Sequence, residues 1–279
     1  MKKALFAALL AIVATAAQAA TRQAIESSAV VNGTLVLAKD GTVQAAVIDD
    51  PAQYGQPIAN LVHNAALQWR FQPVLRDGEP VVAKSSLHAR VVLKQMPDGN
   101  YSARIKGVTF GDDDANSTDE LQYTKGNVQK IPHYPEAAIS ARVQGTVYLS
   151  VHVDRTGHVV QAAAEQVNLD DIGPDAVLRQ YREILAKASL DAARKWTFVI
   201  PTTGRLAKRD NWTAHIPVTF RLKKATADVD DVWQTYVPGP YTPAPWIDKP
   251  DVNAVDAVAG EGVRTDGAGP TLLTPLDHG

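Results

Sequence analysis

Not one of the 279 residues is a cysteine. That absence excludes disulfide frameworks, thiolate metal sites and cysteine nucleophiles together, so stability has to come from burial. Histidine is sparse, and none of the seven forms a His-x-x-x-His helical pair. The nearest two, His152 and His158, flank an expected hairpin without a carboxylate ligand set beside them, so no metal site is expected. A Gly-x-Ser-x-Gly elbow, a phosphate-cradling Gly-x-x-x-x-Gly-Lys loop and a Gly-x-Gly-x-x-Gly turn are all missing. The aspartates at 112 to 114 lack the spacing and the closing Glu of a calcium-binding loop. Together these gaps argue against an enzyme and against a bound cofactor.

Charge of one sign is lacking as well. Residues 225 to 279 hold nine acidic groups against Lys249 and Arg264, while residues 20 to 224 carry 24 basic and 21 acidic groups. A balance so even and so spread is not a nucleic-acid footprint, which needs clustered Lys and Arg. Lys2 and Lys3 precede an apolar run from Ala4 to Ala14 and the small residues Ala17-Gln18-Ala19, the pattern a signal peptidase reads. A signal peptide over residues 1 to 19 and a periplasmic location are therefore expected. No later stretch approaches the roughly 20 apolar residues a spanning helix needs, so no integral membrane segment is expected after cleavage.

What the chain does contain is an internal echo. In the clearer copy, Val147, Leu149, Val151 and Val153 alternate with more polar partners at the strand period, with one face expected to be buried. Asp154-Arg155-Thr156-Gly157 supplies a turn, and Val159 to Glu165 completes a hairpin. Gly173-Pro174-Asp175 opens an amphipathic helix with Val177, Leu178, Tyr181, Ile184, Leu185 and Ala188 on one stripe. Ser189 is expected to cap a second, short helix running to Trp196. Thr197-Phe198-Val199-Ile200-Pro201 and a polar loop lead to a last strand from about Trp212 to Leu222, in which Pro217 removes one backbone donor and favours an edge position.

The earlier copy runs from Gly33 through Asp40-Gly41 and Val43 to Ile48. It continues with helical spacing over Ile58, Leu61, Val62, Ala65, Ala66 and Trp69, and a strand over Val81 to Leu93. Trp69-Arg70-Phe71-Gln72-Pro73 parallels Trp196 to Pro201, and all four aromatics read as core, not as ligand platforms. The fold class is α+β, with two tandem small modules, each a three-stranded antiparallel sheet with helices packed on one face.

The second copy resembles the TonB C-terminal domain family over residues 131 to 224. The motifs that carry this are Pro132-His133-Tyr134-Pro135-Glu136-Ala137-Ala138, Gly145-Thr146-Val147, Gly157, Leu190 to Phe198 with its Trp-x-Phe, and Ile216 to Leu222. Two departures are an added helical segment at about Asp170 to Ala188 and the generous loop from Thr202 to Asn211. The module at 20 to 95 reads as a degenerate copy that lacks the tyrosine-proline opening. Tyr134, Pro135, Gly145, Gly157, Trp196 and Phe198 are taken as structural members of the motif.

The resemblance implies a protein or peptide partner, such as an outer-membrane transporter, captured by main-chain pairing on the terminal strand. The residues assigned to that contact are Thr213, His215, Ile216, Pro217, Val218, Thr219, Phe220, Arg221 and Leu222. The alternative is an envelope or cell-wall scaffold that forms a homodimer through swapped terminal strands. Residues 96 to 130 read as a linker with a short hairpin at Tyr101 to Phe110. Residues 225 to 279, with seven of the 17 prolines, read as a disordered tail that cannot bury a core of its own.

Overall fold

The structure, a computed structural model, describes residues 25–76, 78–96, 99–111, 117–222, 232–248 and 262–276. The expected signal peptide and the aspartates at 112 to 114 lie outside the described residues. The N-terminal half runs β1 (Glu26–Leu37), β2 (Val43–Ile48), α1 (Pro51–Tyr54), α2 (Gln56–Gln68), the short β3 (Leu75–Arg76) and β4 (Glu79–Pro80), β5 (Ala83–Gln95) and β6 (Tyr101–Gly111). The second half runs β7 (Gln122–Tyr123), α3 (Glu136–Ser140), β8 (Gly145–Asp154), β9 (Val159–Leu169), α4 (Asp175–Ala193), β10 (Phe198–Val199) and β11 (Asn211–Phe220). Two tail strands follow, β12 (Gln234–Tyr236) and β13 (Arg264–Thr265).

The architecture is α+β with antiparallel sheets. In the first sheet β1 is flanked by β5 on one side and by β2 and β12 on the other, with β6 beyond β5; the second has the order β13-β11-β8-β9. Three strands per sheet were expected, and the two large sheets have five and four, beside the two-stranded pairs β3-β4 and β7-β10. The additions have two sources. Residues 101–111 form one long strand against β5, not a hairpin folded on itself, because the turn closes earlier: the Met96 amide donates to Asn100 O at 2.7 Å. The others come from the tail, as β12 and β13.

Each half buries a core under its helix. Leu35, Leu37, Val62, Trp69, Phe71 and Leu87 form the first; Val147, Leu149, Val151, Leu185, Trp196, Phe198, Trp212 and Phe220 form the second. The period of two along β8 is the physical cause on one side, and the spacing of Leu178, Leu185, Ala192 and Ala193 along α4 on the other. The expected break at Ser189 does not occur, and α4 is a single helix of 19 residues. Instead of capping a new turn, the buried Ser189 hydroxyl donates to Leu185 O at 2.9 Å, the back-bond of a serine inside a helix.

Two glycines are obligatory where hairpin meets exit segment. Gly157 sits at φ +79°, and a Cβ there would lie 2.1 Å from Phe198 O. Gly41 sits at φ +82°, with Phe71 O at 1.9 Å from the same hypothetical atom. Both conformations favour glycine on backbone grounds alone.

The tail is corrected most. Where described, it is a strap and not a disordered extension. Val237 exchanges both main-chain bonds with Leu169 at 2.7 and 3.2 Å, Tyr236 Oη donates to Glu26 Oε2 at 2.9 Å, and Leu272 bridges Phe71. It has no core of its own, as its composition implies, and is ordered by borrowing the edges of both sheets. Among the described residues, no helix is long and apolar enough to cross a membrane.

Candidate functional site: the outer rim of the last strand

β11 pairs with β8 along its whole length, Asn211 opposite Asp154 through Phe220 opposite Gly145. Its other side is the rim. The Asp266 amide donates to Thr213 O at 2.8 Å from that side, which fixes the parity: in an antiparallel strand alternate residues turn both main-chain groups the same way. Thr213, His215, Pro217 and Thr219 therefore face outward, and Ala214, Ile216, Val218 and Phe220 face β8. Pro217 thus places its missing donor on the rim, where the ladder to β8 loses nothing.

The nine residues assigned from the sequence separate accordingly. Ile216 and Phe220 are core side chains, 2% and 3% exposed, and Val218 packs against the same cluster. Their main chain belongs to the β8 ladder, so they offer no main-chain donor or acceptor to the rim. Arg221 and Leu222 lie beyond the end of β11; Arg221 Nη1 reaches Asp170 Oδ2 at 3.5 Å, and the Leu222 amide donates to Gln144 Oε1 at 2.9 Å. Thr213, His215, Pro217 and Thr219 remain. Of these, Thr213 and His215 are already met by the tail, because β13 lays Arg264 opposite His215 and Thr265 opposite Ala214. Among the described residues, no strand pairs with the outward side from Ile216 to Phe220.

The motif residues all make contacts within the fold. Tyr134 Oη donates to Val143 O at 2.6 Å, and its ring meets Phe220 edge-on at 5.2 Å. Pro135 caps α3. Gly145 permits β9 to approach so closely that a Cβ would lie 2.2 Å from Asn168 O. Trp196 Nε1 donates to Lys130 O at 2.9 Å, while Phe198 stacks on Tyr123 at 5.4 Å.

The sequence reading missed the polar node on the opposite face of this sheet. Glu165, 2% exposed, accepts from Ser150 Oγ at 2.5 Å and from the Ala244 amide at 2.9 Å. His215 Nδ1 lies 2.9 Å from the same Ser150 oxygen and 3.7 Å from Glu165 Oε2. Burial pushes the Glu165 carboxyl up, but the His215 imidazole, the Ser150 hydroxyl and the Ala244 amide outweigh it and hold it below the usual glutamate range.

Serine, histidine and carboxylate meet here, yet the serine bridges the other two and is fully buried. A nucleophile needs an accessible oxygen with a base that is itself oriented from its far side; this arrangement instead fastens the tail to the sheet. The only signal in the sequence was an acidic residue late in a strand otherwise rich in Val and Ala. His152 and His158 are not brought to a common site: His152 packs edge-on against Trp246 at 5.9 Å, and His158 Nδ1 engages Thr156 Oγ1 at 2.8 Å.

Against this geometry stand two curated relatives, each named Protein TonB, from two strains of Xanthomonas campestris pv. campestris. Each is 34% identical to the chain over 91 residues, or 33% of this chain and 34% of the relative. The chain therefore spans about a third of the length of the curated relatives it matches. No protein-family model matches it, and no solved structure matches it significantly. Within this chain, then, lies a segment similar to TonB.

Proposed function

We propose that the protein is a periplasmic, TonB-like interaction protein that captures an extended peptide on the outer rim of β11 by β-augmentation, in the service of outer-membrane transport. One observation carries the reading: a short antiparallel strand, β13, already sits on the first half of that rim, and the half beyond it is unpaired among the described residues. An antiparallel strand is therefore already accommodated on this side of β11, the geometry that an added strand requires. Similarity to TonB supports the partner class, and residues 131 to 224 form a stretch of about the matched length.

The halves read as two copies of one unit, which supports a module built for strand pairing. The strand succession β2-β1-β5 recurs as β9-β8-β11. The Phe71 amide donates to Gly41 O at 2.8 Å as the Phe198 amide does to Gly157 O at 2.7 Å, and the bridge Thr42 to Arg70 recurs as His158 to Thr197.

Main-chain pairing sets a modest scale. Pro217 offers one acceptor and Thr219 a donor and an acceptor, each worth about 1 kcal/mol net, so the open half of the rim alone supports weak, reversible capture. The test is a scan of the full chain with synthetic peptides tiled across the periplasm-facing segments of outer-membrane transporters. Binding that shifts the Thr219 amide is expected; absence of binding, or binding that moves no β11 amide, contradicts the proposal.

A further inference from the structure

The generous polar loop before β11 has no part in the ladder, yet it carries two exposed arginines directed at the tail. Arg205 Nη2 donates to Gly267 O, and to Gly269 O at 2.6 Å. Its Nη1 donates to Thr271 Oγ1 at 3.2 Å. Arg209 Nη1 donates to Asp266 O at 3.0 Å. The turn they hold is shaped for glycine: Gly267 and Gly269 have φ of +78° and +65°, a Cβ at Gly267 would lie 2.8 Å from the Arg209 guanidinium, and one at Gly269 would lie 2.6 Å from Phe110 O. On the far side, the Leu121 amide donates to Thr265 Oγ1 at 3.0 Å. Two loop arginines, a glycine turn and a buried threonine therefore fix two residues of strand against Ala214 and His215.

We infer that β13 is a built-in competitor for the partner rim: the tail occupies Thr213 to His215, and a longer extended segment gains the whole rim from Thr213 to Thr219 by displacing it. The inference rests on the proposed function. Its logic is that of a fractionally available site. If the tail covers its half of the rim nine-tenths of the time, a segment that needs the full rim binds about tenfold more weakly than its intrinsic affinity. The tail is tethered and so is present at high effective concentration, but β13 pairs over only two residues, which leaves the longer strand the better ligand once it arrives.

Asp266→Pro tests this in the full chain. It deletes the amide that donates to Thr213 O and suits the extended residue before it. The probe is a fluorescent peptide of residues 258 to 270, long enough to reach Thr219 in the register that sets Arg264 opposite His215, read by anisotropy and by amide shifts. The D266P chain should bind it at least tenfold more tightly than wild type. Adding Thr213→Pro, which removes an outward donor and spares the β8 ladder, should abolish the gain. Without peptide, His215 amide exchange should rise at least tenfold in D266P and in the double variant Arg205→Ala, Arg209→Ala, with the Val151 amide unchanged.

Equal peptide affinity in wild type and D266P, with shifts confined to the rim beyond His215, overturns the competitor and leaves the rim itself standing. Unchanged His215 exchange in both variants overturns it too, since the contacts named would then not hold the strand. No shift at any β11 amide in either chain removes the competitor and the rim together.

Discussion

The amide of Phe198 donates to the carbonyl of Gly157 at 2.7 Å, so the exit segment of α4 is stitched to the β8–β9 hairpin at the one residue whose left-handed backbone leaves room for it. This contact decides where Trp196 and Phe198 enter the core, and hence how the polypeptide is delivered to β11.

Gly157→Ala is therefore expected to destabilise the protein by more than about 1 kcal/mol, since alanine at positive φ is strained even in open space and here also meets Phe198 O. Urea titration checks it. Gly41→Ala is expected to behave alike through Phe71.

Trp196→Ala should cost about 3–5 kcal/mol. The ring is 4% exposed, and its indole N–H is committed to Lys130 O, so truncation both empties core volume and orphans a carbonyl. Chemical unfolding followed by far-UV circular dichroism gives the difference directly.

Glu165 predicts a pH dependence. Its carboxyl titrates below the ordinary glutamate range in the folded chain, so between the two values the unfolded chain binds more protons and stability falls as pH falls. The contribution is complete above the unfolded value and is lost as pH drops through the folded one. Glu165→Gln should remove about 2 kcal/mol at neutral pH, the scale of hydrogen bonds to a buried charge, and should flatten the decline below about pH 4.5. Unfolding free energies of both chains from neutral pH into acid test the sign as well as the size.

The parts legible in the sequence were those written in local periodicity. The alternation of Val147 to Val153, the glycine turns at Gly41 and Gly157, and the Trp-x-Phe exits each depend on neighbours within a few residues, and each lies where expected. α4 misled because Ser189 has the chemistry of a cap and of a helical back-bond alike, and only packing chooses between them. The tail was illegible for a different reason. Gln-Thr-Tyr and Arg-Thr are too short to show a period, and their partners Glu26 and His215 are far away in sequence. Nor could both faces of the second sheet be read as covered, since Glu165 and His152 look like solvent-facing residues until Ala244 bonds the one and Trp246 packs on the other. Of the rim, the sequence named the strand, and only the parity fixed by Asp266 and Thr213 separates the residues that face outward from those that do not.

The most direct test is residue-resolved amide exchange on the full chain with and without a saturating transporter-derived peptide that binds it. Slowed exchange at Thr219, with Ile216 and Val218 unchanged because they already bond to β8, is the predicted result. Protection confined to another surface, or none along β11, would contradict the account.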